Sequence, residues 1–132
     1  MRRLLTGILT TSLLLLNTLV LIGPLLVFAL LKLVLPGRWR DYASAGVMWV
    51  AETWSEVDRA LFALCIPNRW DIRGVERLRK DTSYLAVSNH QTWVDIPALI
   101  ESLNRRTPFF KFFLKKELIW VPLLGLAWWG LD

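Results

Sequence analysis

The longest uncharged stretch of the chain constrains its fold more than any other feature. Arg2 and Arg3 are followed by 28 residues, from Leu4 to Leu31, without a charged side chain, and Lys32 then ends the run. About 20 consecutive apolar residues are enough for a helix to cross a bilayer. The run therefore predicts a membrane anchor over residues 1–40.

Two forms of this anchor stay open. Gly23-Pro24 lies inside the run, where proline removes a backbone hydrogen bond and is expected to kink a helix. The anchor is then either a single kinked span or a re-entrant or shallow pair of helices with both ends in the cytoplasm. Both flanks are basic, so positive charge sets the orientation only weakly. A cleaved signal peptide fits less well, because the run is too long and lacks a small-residue cleavage site.

Composition excludes several kinds of site. Cys65 is the single cysteine and His90 the single histidine, so the sequence offers no internal disulfide, no multi-cysteine zinc site and no two-histidine metal motif. We expect neither a resident metal nor a bound cofactor. The 16 Lys and Arg against 11 Asp and Glu give a net charge of +5, which suits an anionic membrane surface. No motif supports binding to nucleic acid.

Residues 41–132 predict the first part of an α/β domain. Apolar residues recur at steps of three and four from Tyr42 to Leu64, which is the pattern of an amphipathic helix. Trp70–Val75 alternates like a half-exposed strand, and Ser83–Ser88 has the composition of a short buried strand. A second helix is predicted over Ile96–Leu103.

The candidate catalytic residues follow the second predicted strand. His90 comes at its carboxyl end, where open α/β sheets bind their ligands, and Asp95 stands five residues later at the start of the predicted helix. A carboxylate that accepts a hydrogen bond from one imidazole nitrogen leaves the other nitrogen able to act as a base. Thr92-x-x-Asp95 also matches a capping box, and the structural and catalytic interpretations are compatible.

Two ordered segments of the chain match motifs of a known family. The segment Asn89–Asp95, with the sequence NHQTWVD, resembles the NHxxxxD block of the glycerolipid acyltransferases, especially the bacterial lysophosphatidic acid acyltransferases. The segment Lys115–Gly125, with the sequence KKELIWVPLLG, is similar to their K-x-x-L-x-x-x-P-x-x-G segment. Phe109–Leu114, between the two motifs, would be a further strand.

The resemblance implies an activity and residue roles. It implies transfer of a fatty acyl group from an acyl thioester, on coenzyme A or acyl carrier protein, to the free hydroxyl of a lysophospholipid such as lysophosphatidic acid, in phospholipid biosynthesis. His90 would take the proton of that hydroxyl, and Asp95 would orient the imidazole. Asn89, Lys115 and Lys116 are candidates for binding the substrate, and Lys115 or Lys116 could supply charge near its phosphate. The two lysines precede an apolar segment, so they are also typical of residues at a membrane interface.

The resemblance also implies a location and a length. Bacterial members lie in the inner membrane, so we expect the catalytic part to face the cytoplasm, with membrane lipids, the lysophospholipid acceptor and the thioester donor as partners. The family continues with further blocks, including an acidic-Gly-Thr-Arg block for substrate phosphate, which does not occur in this sequence. We therefore expect residues 41–132 to be an incomplete acyltransferase domain, which is inactive by itself because the later blocks are missing. The alternative is a non-catalytic, membrane-bound fragment.

Overall fold

A computed structural model describes residues 1–66, 69–89, 91–92 and 94–111. These residues form three α-helices and one short 3-10 helix. In chain order they are α1 (Arg2–Val34), α2 (Arg38–Cys65), the 3-10 helix Val75–Arg77 and α3 (Asp95–Leu103). The chain divides into two compact units, one formed by Met1–Leu15 with Ser55–Phe110 and the other built on Leu16–Trp54.

Helix α1 contains the whole uncharged run from Leu4 to Leu31. It has 33 residues and continues through Pro24 without interruption, which favours the single span over a pair of helices broken at Gly23-Pro24. At 1.5 Å per residue its length is about 50 Å. Its residues Arg3–Val34 are long and apolar enough to cross a membrane by length and composition, and only 11% of the most apolar window is buried.

Helix α2 confirms the helix predicted from Tyr42 to Leu64. The chain reverses direction at Gly37, whose φ of 57° lies in the left-handed region that glycine adopts without strain. Val47 and Val50 are completely buried on one face of α2. Within the unit built on Leu16–Trp54, α1 and α2 approach closely, because a Cβ atom at Gly46 would come within 2.5 Å of the Phe28 ring.

The predicted α/β architecture is wrong for the residues that the structure describes, since they form helices, turns and loops but no strand. Trp70–Val75 does not form its predicted strand; Gly74, with φ of 80°, leads instead into the 3-10 helix. Ser83–Ser88 is also outside any strand, and all its side chains are exposed. In the third predicted strand, residues 109–111 are not in a strand, and residues 112–114 lie outside the described residues.

The prediction is wrong because a strand-like sequence pattern does not by itself make a strand stable. A strand becomes stable when its N–H and C=O groups pair with a neighbouring strand and one side-chain face is packed. Leu85 is 77% exposed and Val87 is 88% exposed, so the described residues supply neither the pairing nor the packing. The local preference for extended backbone is present, but the partner that would make it a sheet is not among these residues.

Helix α3 confirms the helix predicted over Ile96–Leu103 and begins one residue earlier, at Asp95. Its buried side chain is Ile100, which is 5% exposed. Asn104 follows the helix and donates its backbone N–H to the Ile100 carbonyl at 3.0 Å. Asp95 therefore lies at the amino end of α3, and Asn104 lies directly after its carboxyl end.

Candidate functional site

The Asp95 side chain closes the turn that follows the histidine motif. Its Oδ2 atom accepts a hydrogen bond from the backbone N–H of Gln91 at 2.6 Å and from that of Thr92 at 2.8 Å. Hydrogen bonds from amides to an ionised carboxylate are among the stronger ones in proteins. The orientation of this carboxylate is thus set by the residue directly after His90.

Thr92 accepts two further hydrogen bonds within the same turn. Its Oγ1 accepts the backbone N–H of Val94 at 3.2 Å, and its carbonyl oxygen accepts the backbone N–H of Asp95 at 3.2 Å. Of the two reciprocal bonds of a capping box, the bond from the Thr92 N–H to Asp95 Oδ2 is present, whereas Thr92 Oγ1 accepts from Val94 instead of Asp95. The capping-box prediction is therefore met only in part, and the N-cap residue of α3 is Val94, which has no side-chain cap hydrogen bond.

The structure places two of the five predicted site residues. Asp95 holds the turn, and Asn89 is exposed in the segment that leads into it. His90, Lys115 and Lys116 lie outside the described residues. The catalytic roles of His90 and Asp95 therefore stay predictions, as do the substrate-binding roles of the other three. Among the described residues, no group of three His, Cys, Asp or Glu side chains could hold a metal ion.

A polar cluster connects the far end of α3 to α2. Glu56 on α2 accepts a hydrogen bond from the Asn104 amide through Oε2 at 3.2 Å, and Arg105 Nε lies 3.8 Å from the same oxygen. Arg59 donates to Glu56 Oε1 through Nη2 at 2.6 Å, and its Nη1 lies 3.6 Å from Glu101 Oε1 on α3. One carboxylate therefore joins two residues beyond α3 and one residue of its own helix.

Electrostatics within this cluster keep its members charged. The hydrogen bond from Arg59 is the largest influence that lowers the pKa of Glu56, against the opposing effect of burial. The same bond raises the pKa of Arg59. Both residues lie within the stretch from Tyr42 to Leu64 that the sequence predicts as an amphipathic helix. Their i, i+3 spacing indicates the pair itself, but nothing local points to Asn104.

Two exposed ion pairs lie on either side of the 3-10 helix Val75–Arg77. Arg73 contacts Asp71 at 2.7 Å, and Arg79 contacts Asp81 at 2.7 Å. The Arg79 guanidinium lowers the pKa of the Asp81 carboxyl. Pairs as exposed as these contribute little to stability.

The comparison with known families concerns the part of the chain that contains these features. Residues 69–132 match the model of the Acyltransferase family. They include the Asp95 turn, α3 and both motifs on which the resemblance rests. Over residues 69–132 the resemblance to the acyltransferase family is therefore confirmed. No curated protein and no solved structure matches the chain.

Proposed function

We propose that this protein transfers a fatty acyl group from an acyl thioester, on coenzyme A or acyl carrier protein, to the free hydroxyl of a lysophospholipid such as lysophosphatidic acid. The match of residues 69–132 to the Acyltransferase family model supports the reaction type. The observation that carries the proposal further is the Asp95 carboxylate, which is hydrogen-bonded to the turn that directly follows the single histidine. A thioester is already activated, so the chemistry needs mainly positioning and a base for the attacking hydroxyl.

In the proposed reaction His90 acts as that base. One imidazole nitrogen takes the hydroxyl proton while the hydroxyl oxygen attacks the thioester carbonyl carbon. The carbon–sulfur bond then breaks, and the imidazolium returns the proton to the leaving thiolate. Asp95 accepts from the other ring nitrogen, fixing the tautomer and stabilising the imidazolium. Two backbone amides use part of the carboxylate's acceptor capacity, and about four lone-pair positions exist in total, so the orienting role is compatible with the capping role.

Three polar residues are proposed for the phosphate of the acceptor. Asn89 stands beside the histidine in the sequence and is exposed, which supports access to a substrate. Lys115 or Lys116 would supply positive charge to the phosphate. Lysine is a point-charge ligand for phosphate rather than a bidentate one, so either lysine would attract the headgroup more than it would orient it.

The distribution of polar and apolar side chains on α1, which is inverted relative to a helix in water, supports a location in a membrane. The packed face of α1 carries the polar side chains Thr10, Asn17 and Lys32, which are between 4% and 9% exposed. Its exposed face is apolar. The large residues there that are at least half exposed are Leu4, Leu5, Ile8, Leu9, Leu15, Leu16, Leu19, Val20, Val27, Leu30, Leu33 and Val34. A helix in water has the opposite arrangement, whereas helices in lipid use polar groups between helices.

Helix α2 also exposes apolar side chains, which supports contact with a membrane, although among the described residues only α1 is long and apolar enough to cross one. The exposed large side chains of α2 after Asp41 are Tyr42, Trp49, Val57 and Leu64, while Asp58 is 7% exposed. Within the unit built on Leu16–Trp54, the Trp54 indole N–H donates to the Thr18 hydroxyl at 3.2 Å. We propose the bacterial inner membrane, with the acyltransferase region facing the cytoplasm, where thioester donors are made.

A direct assay tests the proposed reaction. The full chain is purified in detergent, reconstituted into vesicles and incubated with a radiolabelled acyl thioester and lysophosphatidic acid. We expect label in phosphatidic acid when the acyltransferase domain is complete, and none when the acceptor lacks a free hydroxyl. Asp71→Asn, which removes an exposed ion pair, is the matched control and should retain full activity. Thioester hydrolysis without acyl transfer, or no turnover with any lysophospholipid, would contradict the proposal.

A further inference from the structure

We infer that Glu56 is a positioning residue for the Asp95 turn, acting by fixing the carboxyl end of α3 to α2. The catalytic consequence of this inference rests on the proposed function, but its structural part does not. Glu56 stands on α2, whereas the turn that it would position lies at the opposite end of α3. The contacts that carry the inference all lie within the unit that contains Ser55–Phe110.

The first step is that α3 depends on its contacts with α2. The helix has nine residues and one buried side chain, Ile100, and helices this short are not stable alone in water. Pro97 and Ile100 line a cavity of about 10 Å³ with Phe62 of α2 and with Trp70, a volume that holds about one water molecule. Arg59 and Glu101 of the polar cluster line the same cavity, so the apolar contact and the polar cluster together hold α3 against α2.

The second step is that Glu56 is the centre of the polar cluster. Its Oε2 atom contacts Asn104 at 3.2 Å and Arg105 at 3.8 Å, and its Oε1 atom holds Arg59, which in turn lies 3.6 Å from Glu101. Without the Glu56 carboxylate, three cationic or amide groups lose a shared acceptor. The connection of Arg59 to Glu101 would remain, but it is longer than a hydrogen bond.

The third step is that the segment after α3 has a backbone conformation that needs support. Arg105 has a φ of 59°, which is uncommon for a residue with a side chain. The Asn104 Oδ1 atom is buried and has no hydrogen-bond partner among the described residues. Unfavourable features of this kind persist when neighbouring contacts over-determine the conformation, and both residues contact Glu56.

The fourth step is transmission to the site. Nine helical residues span about 14 Å, so a rotation of α3 by about 10° around its carboxyl end moves Asp95 by about 2 Å. Asp95 holds the amides of Gln91 and Thr92 directly, so these two bonds would lengthen or break. A misplacement of about 1 Å in a catalytic site lowers the rate by about a hundredfold.

The experiment measures residue-resolved amide hydrogen exchange of the full chain in detergent micelles. Glu56→Ala should increase exchange at Gln91 and Thr92 about tenfold, because local opening governs exchange, and Glu56→Gln should give a smaller increase. The matched control, Asp71→Asn, removes an exposed ion pair of the same unit and should leave both amides unchanged. Faster exchange confined to residues 100–107 would overturn the inference, since Glu56 would then be merely structural.

A charge exchange separates the stability of α2 from the position of α3. E56R combined with R59E keeps an ion pair of the same spacing on α2, but it opposes the new charges to Arg105 and Glu101. We expect exchange at Gln91 and Thr92 to stay fast in this double variant. Recovery to the wild-type rates would overturn the inference, because the pair within α2 would then be sufficient.

Activity measurements distinguish failure of this inference from failure of the proposed function. In an active protein, Glu56→Ala should lower kcat for acyl transfer about 10- to 100-fold, with little change in the KM of the thioester. If no variant and no wild-type protein transfers acyl groups, but exchange at Gln91 increases as expected, the function fails and the positioning role stands. Loss of activity without any change in exchange at Gln91 and Thr92 overturns the positioning role.

Discussion

The Asn17 side-chain amide donates a hydrogen bond to the backbone carbonyl oxygen of Trp54 at 3.2 Å, across 37 residues of sequence. This bond directs a polar side chain of α1 toward α2 and away from the exposed apolar face of α1. A carbonyl that accepts a second donor is satisfied without water, which is what a lipid environment requires. In α1 a polar side chain is thus buried against α2, while apolar side chains are exposed.

The close approach of the two helices predicts a large effect at Gly46. Gly46→Ala places a Cβ atom 2.5 Å from the Phe28 ring, and we expect overpacking to destabilise the unit by about 1–3 kcal/mol. Gly7→Ala is the matched control, because nothing lies within 4 Å of a Cβ atom there and helix propensity improves equally. Unfolding by SDS in mild detergent measures both. Equal stability of the two variants would contradict the close packing.

A charged side chain on the outer face of α1 should impair membrane integration. Leu16 is 56% exposed, and Leu16→Lys would place an ammonium group in lipid at a cost of about 3 kcal/mol. We expect part of this variant to be released by alkaline carbonate, while wild-type protein and the exposed-loop control Leu85→Lys stay in the membrane pellet. Release of the wild-type protein would show that α1 is not an integral anchor.

His90→Ala should abolish acyl transfer in the active protein. The loss of a general base is expected to lower kcat by about 10² to 10⁴. Thermal stability should change little, and measuring it in parallel ensures that the variant is folded. A folded His90→Ala protein with near-normal turnover on a thioester donor would eliminate the proposed role of the histidine.

Asp95→Asn should lower both activity and stability. The neutral amide oxygen still accepts the Gln91 and Thr92 amides, but more weakly, so we expect a loss of about 1 kcal/mol. Activity should fall by a large factor, though less than in His90→Ala, because tautomer control is weakened. Turnover and melting temperature are measured together. A change in melting temperature alone would leave Asp95 with the capping role only.

The Glu56 carboxyl should make stability depend on pH in the acidic range. Its pKa is lowered in the folded protein, so its stabilising contribution is complete above its unfolded pKa and is lost as the pH falls through the folded pKa. The side chain is 36% exposed, so this contribution is at most about 1 kcal/mol. Melting temperatures of wild type and Glu56→Gln should differ at about pH 7 and converge near about pH 3. A difference that does not vary with pH would contradict this.

The features that the sequence by itself determined are local ones. The apolar run predicted α1, the three-and-four spacing predicted α2, and Thr92-x-x-Asp95 predicted the bond from the Thr92 N–H to the Asp95 carboxylate, because each signal depends on residues within a few positions of one another. The resemblance at Asn89–Asp95 likewise identified the family from contiguous residues. These predictions hold because helical hydrogen bonds and caps are made within one segment.

Tertiary structure decided what depends on a distant partner. Trp70–Val75 and Ser83–Ser88 have strand-like patterns, but pairing requires another strand, and the described residues contain none. The orientation of α1, with Asn17 inward and leucines outward, is visible only once α2 lies beside it. Glu56 and Asn104 are separated by 48 residues, and no local pattern relates them. Their contact forms because folding brings α2 and the end of α3 together, where a carboxylate and an amide satisfy each other.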